Sequence, residues 1–382
     1  MFRSTTTVNE RPRRRRTTAV IAALAALACL LPAAAIGAAG TNSDRTKSSD
    51  IIVFGTDQEL MNAPASITRV SSEGNVLWSR PLRGVDEQVS LGLHGADRNL
   101  TEDAFYIWIS TYGTNLVAGK GQLQRYDSKG NHTWSALIDG EDQDVTVSAN
   151  PVKGGAWVAT SIGITRIDRR GATVLGGLTF GLDADTYWAV TTDTRDGGAF
   201  VTNYDHGKVL KISATGTVLW STDLTGAVAP MYSPLDGGVY VGSGPYAHDT
   251  VKLSSGGTVE WTLANFPSPY TYGRAVSPVD GSLYVTSGWD GRIGHVAPDG
   301  TVLDDVYMNG GWGPVANQGL AASILGDTLY TGDSVEQLGI GARHLDGDTM
   351  TELWHLDPGW YPTTDNVYTP FYRPFTGMPR VR

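Results

Sequence analysis

Hydrophobic and polar residues alternate along residues 196–224, which read DGGAFVTNYDHGKVLKISATGTVLWSTDL. Alternation of Val, Leu, Ile, Phe and Trp between Gly, Asp and Ser turns is typical of half-buried antiparallel strands. The segment predicts three strands, at 199–203, 209–213 and 217–222, with a tight SATGT turn between the last two. A chain built from such segments is expected to form sheets rather than helices.

The same pattern occurs seven times along the chain, and each copy contains a turn glycine. These glycines lie 41 to 56 residues apart, which is typical of the four-stranded blades of a β-propeller. A further strand precedes each copy, and another short strand precedes most of these. We therefore predict an all-β, seven-bladed β-propeller of four-stranded antiparallel blades with almost no helix. The turn glycines are Gly74, Gly130, Gly171, Gly216, Gly257, Gly300 and Gly347.

The first repeat differs from the others because it has no innermost strand of its own. Ile51 opens its second strand directly, whereas a tail at 366–375, NVYTPFYRPF, follows the last repeat without a place in it. We predict that this tail supplies the missing strand and closes the ring. Closure would remove the exposed sheet edges that an open array of blades would leave.

The N-terminus predicts an export signal. Arginines at 11 and 13–16 precede an apolar run at 19–35, and small residues suited to cleavage follow near Ala38 and Ala39. Residues 1–39 are therefore predicted to be a signal peptide, 40–50 a flexible linker and 51–382 the propeller. The expected location is outside the cell or in the cell envelope. A retained membrane anchor, or lipidation at Cys29 in an envelope-assembly lipoprotein, is an alternative.

Charge and cysteine content narrow the possible partners. The whole chain carries a net charge of −10, and six Arg and one Glu give residues 1–39 a charge of +5, so the remainder carries −15. Such a balance argues against nucleic acid and against anionic membrane surfaces, which require basic patches. The only cysteine, Cys29, lies in the leader, so we expect no disulfide and no thiolate metal site. We expect a monomer that is not inserted in a membrane once the leader is removed.

Most of the repeats have a tryptophan four residues after the turn glycine. This G-x-x-x-W pattern resembles the quinoprotein-like (PQQ-like) and bacterial β-propeller repeats, over nearly all of residues 51–375. The resemblance implies that these tryptophans pack between blades, and that the third and sixth blades, with Leu175 and Asp304 at this position, pack less well. It implies no activity, and the adjacent cysteine pair of several quinone dehydrogenases is absent. The tryptophans at this spacing are Trp78, Trp134, Trp220 and Trp261, and the diverged seventh repeat has Trp354 seven residues after Gly347.

By analogy with propellers, the loops between second and third strands and those between blades share one end of the ring. These loops are rich in Tyr, Trp, Asp and Asn. Because aromatic rings stack on sugars and carboxylates hydrogen-bond to hydroxyls, a glycan is a physically reasonable ligand. The same composition is also common in propeller loops, so an extracellular protein partner stays open. The candidate ligand-binding residues are Tyr187, Trp188, Tyr204, Asp205, Asp249, Tyr272, Trp289, Asp290, Arg292, Trp312 and Trp360.

A catalytic alternative rests on histidines in corresponding loops of adjacent blades. His206 and His248, together with Tyr246 and Arg274 or Arg292, could carry out proton abstraction and elimination on a uronic acid. The arginine would neutralise the carboxylate, and Tyr or His would move the proton. Some polysaccharide lyases are propellers, so an extracellular carbohydrate-active enzyme, and a lyase first, is the alternative function. Histidines without a role are common in surface loops.

Two acidic loops suggest further chemistry. Asp142 and Asp185 could form the carboxylate pair of a glycosidase, and the segments around them could ligate calcium through hard oxygen atoms. Neither segment matches the twelve-residue calcium loop, and we expect no other cofactor. The prediction that best fits the sequence is a secreted, non-catalytic binding or scaffold propeller. Four histidines in strands or turns are predicted to be structural, and these are His132, His295, His344 and His355.

Overall fold

A computed structural model contains seven four-stranded antiparallel sheets, which we call blades. The described part has no α-helix, and none of its segments is a helix long and apolar enough to cross a bilayer. The all-β class and the seven blades predicted from the sequence are confirmed. The structure describes residues 51–55, 66–83, 93–99, 101–109, 119–140, 145–184, 186–245, 248–267, 271–287, 292–307, 319–322, 328–333, 339–346, 349–356 and 367–368.

The strands follow one another along the chain as four-strand meanders. The first three blades contain β1 (Ile51–Gly55), β2 (Ser66–Val70) and β3 (Val76–Pro81); β4 (Leu93–Asn99), β5 (Ala104–Ile109), β6 (Lys120–Asp127) and β7 (His132–Asp139); and β8 (Thr146–Ala149), β9 (Ala156–Thr160), β10 (Gly163–Ile167) and β11 (Thr173–Leu178). The fourth and fifth contain β12 (Trp188–Thr192), β13 (Ala199–Asn203), β14 (Lys208–Ile212) and β15 (Val218–Asp223); and β16 (Val228–Tyr232), β17 (Val239–Ser243), β18 (Asp249–Leu253) and β19 (Val259–Leu263). The sixth and seventh contain β20 (Thr271–Val276), β21 (Leu283–Ser287), β22 (Arg292–Val296) and β23 (Val302–Tyr307); and β24 (Gly319–Ala322), β25 (Leu329–Asp333), β26 (Gly339–Asp346) and β27 (Thr349–Leu356).

The first blade receives its fourth strand from the C-terminal tail. Strand β28 (Val367–Tyr368) pairs with β1 in antiparallel register, with Tyr368 opposite Ile52 and Val367 opposite Val53. The strand is shorter than the predicted segment 366–375, of which the other residues lie outside the described part. These two residue pairs lie where the sequence predicts an added strand, and closure of the complete ring by the tail stays a prediction.

The core lies between adjacent blades, because each blade is apolar on both faces. Strands β13, β16 and β17 have five residues each, and all of these residues are buried. In the outermost strand of the fourth blade, β15, exposed residues alternate with half-buried ones or follow one another. Such continuous apolar runs are typical of strands covered on both sides. One cluster between the fourth and fifth blades includes Phe200, Val209, Tyr232, Val239 and Val241.

Tryptophans of the outer strands connect neighbouring blades, as the repeat resemblance implies. The ring of Trp220 lies against Gly257 in the fifth blade, and its Nε1 donates to the Ser255 carbonyl at 2.9 Å. A Cβ on Gly257 would lie 2.7 Å from the ring, and the backbone φ of +85° at this position favours glycine. Equivalent hydrogen bonds to the next blade are made by Trp134, Trp261 and Trp354.

The third blade substitutes leucines for this tryptophan. The side chains of Leu175 and Leu178 lie against Gly216 in the turn of the fourth blade, where five of the other blades place an indole ring. Leucines fill part of the same space but provide no N–H donor, so this contact lacks the hydrogen bond to a turn carbonyl. The expectation of weaker packing at this boundary stays a prediction.

A buried ion pair crosses the fourth blade. The Lys211 ammonium lies 2.7 Å from Asp193 and 4.6 Å from the centre of the Phe200 ring, and Arg195 also contacts Asp193 at 2.8 Å. Burial alone would raise the pKa of Asp193, but hydrogen bonds from Arg195 and Lys211 outweigh it and lower the pKa to about 2. The carboxylate is therefore held in its charged form in the native state.

This lowered pKa predicts a loss of stability in acid. Because the native pKa lies below the ordinary value of 3.8, the stabilisation is fully present above about pH 4 and disappears as pH falls towards 2, by about 2 kcal/mol. Urea unfolding of the wild-type and Asp193→Asn proteins between these pH values measures it. The variant should lose that much less stability on acidification, and parallel curves for the two proteins would contradict the prediction.

Candidate functional site

Two loops of the fourth blade are held together at the end of the propeller where the candidate residues were predicted. The Asn203 amide donates to Thr186 Oγ1 at 2.7 Å and accepts from the backbone N–H of His206 at 2.9 Å. The Asp205 carboxylate accepts from the backbone N–H of Tyr187 at 2.9 Å. These bonds fix the segment before β12 against the β13–β14 loop, so Asp205 has a defined role in loop geometry.

Two tyrosines carried by these loops lie side by side at the next blade. The Tyr204 backbone N–H donates to the Tyr187 carbonyl at 3.0 Å, and both rings pack against Val228 and Ala229 of β16. Both side chains are half-buried. The pair, which we call the tyrosine pair, therefore has one apolar face in the protein and part of its surface in solvent. Such amphipathic rings are frequent at ligand contacts.

The backbone is irregular around the tyrosine pair. Ala229 has a φ of +46°, and the ladder between β16 and β17 is interrupted between Val228 and Met231. Asn265, in the loop after β19, has a φ of +53°, and its N–H donates to the Asp249 carboxylate at 3.1 Å. Bulges and left-handed non-glycine residues are enriched at functional sites. Asp249, like Asp205, contacts loop backbone.

Arg274 reaches the same region from the sixth blade but is fully buried. Its guanidinium lies over Gly242 of β17, where a Cβ would be 2.6 Å from Nη2, so a residue with a side chain would exclude it. Burial lowers the pKa of Arg274 to about 10, and the charge interaction with Tyr187 opposes this shift. Arg274 is therefore beneath the surface rather than facing a substrate, which corrects its predicted role in neutralising a uronate carboxylate.

The two candidate histidines lie in loops of adjacent blades. His206 Nε2 lies 3.7 Å from a carboxylate oxygen of Asp183, which is 88% exposed. His248 is half-buried and immediately precedes β18. Tyr246, the predicted proton donor or acceptor, lies outside the described residues. The structure thus brings His206 to Asp183 and Arg274 to Tyr187.

Two further candidate residues, Trp188 and Arg292, make contacts within the fold itself. Trp188 is 1% exposed and packs with Phe180 at a ring-centre distance of 6.1 Å, so it is a core residue and not a ligand platform. Arg292 donates to the Pro267 carbonyl at 2.8 Å, forms an ion pair with Asp305 and lies over the Tyr307 ring. It holds the edge of the sixth blade. The sequence did not reveal these contacts, because strand-end residues can face either core or solvent.

Several predicted residues cannot be placed. Calcium would need oxygen ligands from Asp142 or Asp185, and both lie outside the described part, so this prediction stays open. Among the residues the structure describes, no group of three or more His, Cys, Asp or Glu could hold a metal ion. The strand β20 includes Tyr272, of whose side chain nothing is described. The other candidates outside the described residues are Trp289, Asp290, Trp312 and Trp360.

Sequence reasoning missed Gly242, Val228 and Ala229. Gly242 stands in VYVGS, where the equivalent positions of β13 and β21 carry Thr202 and Thr286. A lone glycine inside a strand indicates close approach of another group, which here is Arg274. Val228 and Ala229 carried no signal, because small apolar residues of inner strands are ordinarily core.

Comparison with solved structures supports the fold. The chain is similar to streptogramin B lyase (TM-score 0.53, 13% identity, 76% of this chain and 92% of that one). It is also similar to the dihydro-heme d1 dehydrogenase NirN, with a TM-score of 0.54 and 12% identity over 83% of this chain and 66% of that one. A third similar structure is a putative 6-phosphogluconolactonase from Bacteroides uniformis, with a TM-score of 0.57 and 13% identity over 80% of this chain and 95% of that one. No protein-family model and no curated protein matches the chain. At these identities the similarity supports the propeller repeat and not an activity.

Proposed function

We propose that the chain is a secreted, non-catalytic binding propeller whose loop end takes a glycan. The observation that supports this most is the tyrosine pair, whose rings are half-buried and whose loops are fixed by Asp205. A prearranged aromatic surface binds sugar rings without first paying the entropy of ordering its loops. The exposed Asp183 lies in the same segment and provides a hydrogen-bond acceptor for sugar hydroxyls.

The same contacts argue against the elimination mechanism. A lyase needs a cation facing the substrate carboxylate, but Arg274 is fully buried and Arg292 is paired with Asp305. The similar solved structures bear names of a lyase, a dehydrogenase and a lactonase. Their diversity means that the fold alone favours none of these chemistries. An argument for one of them has to come from the residues of the site.

A polysaccharide panel tests the proposal on the exported protein. Tryptophan fluorescence reports binding, and ultraviolet absorbance reports unsaturated elimination products. We expect saturable binding without product. Asp205→Ala should weaken binding at least about tenfold, because the loop that carries Tyr187 loses its anchor. His206→Ala should bind within about threefold of the wild type.

The control is Asp299→Ala, an exposed turn residue between β22 and β23, at the opposite end of the blade. This variant should bind like the wild type. Product formation that disappears in His206→Ala would instead identify a lyase. No binding to any polysaccharide would reject the glycan and direct the search to an extracellular protein partner, by capture from the cell envelope.

A further inference from the structure

In the first six blades, the third strand carries a basic residue opposite the second strand, and the seventh blade has Arg343 opposite Leu329. In four of these blades the cation lies over an aromatic ring of that second strand, at 4.6 to 6.0 Å from the ring centre. Five of the six residues are arginine or lysine, and the sixth is a histidine. The six residues are Arg69, Arg125, Arg166, Lys211, Lys252 and His295.

Three positions differ together between the fifth and sixth blades. The fifth blade has a lysine on its third strand, a tryptophan opposite it on the fourth and a glycine at the end of its Asp-Gly-Gly turn. The sixth blade has histidine, aspartate and serine at these places. The residues are Lys252, Trp261 and Gly238 in the fifth blade, and His295, Asp304 and Ser282 in the sixth.

The three residues of the sixth blade form one hydrogen-bonded chain. His295 Nδ1 lies 2.5 Å from Asp304 Oδ2, and Nε2 lies 2.9 Å from Ser282 Oγ. Ser282 Oγ donates in turn to Asp280 Oδ1 at 2.8 Å. The Tyr284 ring stacks on the imidazole at 4.2 Å with an interplanar angle of 12°. In the fifth blade, Lys252 makes an ion pair directly with the corresponding carboxylate, Asp236.

Counting hydrogens along this chain identifies the charge state. A carboxylate only accepts, and a hydroxyl has a single hydrogen to donate. Because Ser282 gives its hydrogen to Asp280, His295 Nε2 must donate to Ser282. Nδ1 must likewise donate to Asp304. Both ring nitrogens therefore carry hydrogen, which is the charged imidazolium form.

We propose that His295 is the cation of the sixth blade, held charged by Asp304 and, through Ser282, by Asp280. The shorter imidazole reaches the turn carboxylate through the serine hydroxyl, where the longer lysine reaches it directly.

The groups around the imidazole agree with a positive charge on it. Asp304 and Asp280 are the carboxylates that face it or its hydrogen-bonded serine, and Tyr284 covers one ring face. Across the boundary to the fifth blade, the Tyr240 hydroxyl donates to the Gly281 carbonyl at 2.7 Å, and burial raises the Tyr240 pKa. The next turn of the seventh blade, 347–348, lies outside the described residues.

The same geometry is that of a Ser-His-Asp triad, but it does not form a nucleophile. Ser282 is fully buried, and its hydrogen is directed to Asp280 rather than to the imidazole. A nucleophilic serine must reach the substrate and give its proton to the histidine. We therefore assign a structural role to this chain of hydrogen bonds.

Nitrogen NMR of the full chain tests the charge state directly. In protein labelled with nitrogen-15 histidine, two-bond correlations at about pH 7.5 should show both ring nitrogens of His295 protonated, at a pH where an exposed imidazole is mostly neutral. His295→Gln identifies the signals. A single protonated nitrogen at this pH would overturn the proposal. So would labelling of Ser282 by a serine-directed fluorophosphonate probe, which should leave it unmodified.

Discussion

Replacement of Trp220 with alanine is expected to lower the free energy of unfolding by about 2–3 kcal/mol, less than for a fully buried tryptophan because the indole is partly exposed. The indole packs against Gly257 of the next blade and lies 5.8 Å from the Phe200 ring, so its removal leaves a cavity between two blades. The Ser255 carbonyl also loses its N–H donor. Urea unfolding followed by far-ultraviolet circular dichroism measures the change without relying on tryptophan fluorescence.

Two variants of the same region separate the contributions. Trp220→Phe keeps a ring against Gly257 and should lose about 1–2 kcal/mol, mainly the hydrogen bond and part of the packing. Leu219→Ala, at a neighbouring residue that is 56% exposed, should change stability by less than about 0.5 kcal/mol. If Trp220→Ala were no more destabilising than Leu219→Ala, the blades would not depend on the indole contacts.

The blades could be predicted because each blade repeats the same local pattern. Strand β13 has the predicted bounds, Ala199–Asn203, and β14 and β15 differ from the prediction by one residue at each end. Alternation fixes the position of a strand, and the turn glycine fixes its register against the next strand. The tryptophan contacts followed from the repeat as well, since one spacing places four indoles against the turn glycine of the next blade, those of Trp78, Trp134, Trp220 and Trp261.

The candidate site could be predicted only in part, because side-chain direction at the inner strands depends on irregular backbone. The ladder between β20 and β21 shifts between Thr271 and Arg274. A shift of one residue exchanges the two faces of a strand, so alternation alone could not show that Arg274 points to Gly242 between blades. Asp205 was identified as a loop residue, but its bond to the Tyr187 backbone required the fold.

The sixth blade shows a similar limit. Asp304 in place of tryptophan suggested only poorer packing, because the sequence separates it from Ser282 by more than twenty residues. The three strands β21, β22 and β23 bring Ser282, His295 and Asp304 into one chain of hydrogen bonds. A residue that departs from a repeat is thus best interpreted together with other departures in the same repeat.

Lys211→Met is expected to destabilise the protein by about 3 kcal/mol, because it leaves Asp193 buried with one cation fewer. Breaking a buried ion pair on one side costs about 3–5 kcal/mol, and the remaining contact with Arg195 places the effect at the lower end. Urea unfolding at neutral pH measures it. Adding Asp193→Asn to Lys211→Met removes the uncompensated charge and should recover part of the lost stability.

The matched control is Lys208→Met, three residues earlier in the same strand. Lys208 forms an ion pair with Asp223, whose side chain is 82% exposed, and exposed pairs contribute about 0–1 kcal/mol. The control should therefore change stability little, although it removes the same charge and introduces the same side chain. Equal losses for Lys208→Met and Lys211→Met would mean that burial of the Lys211–Asp193 pair is not the source of the effect. A double variant less stable than Lys211→Met alone would mean that Asp193 still stabilises the blade through Arg195 after the lysine is gone.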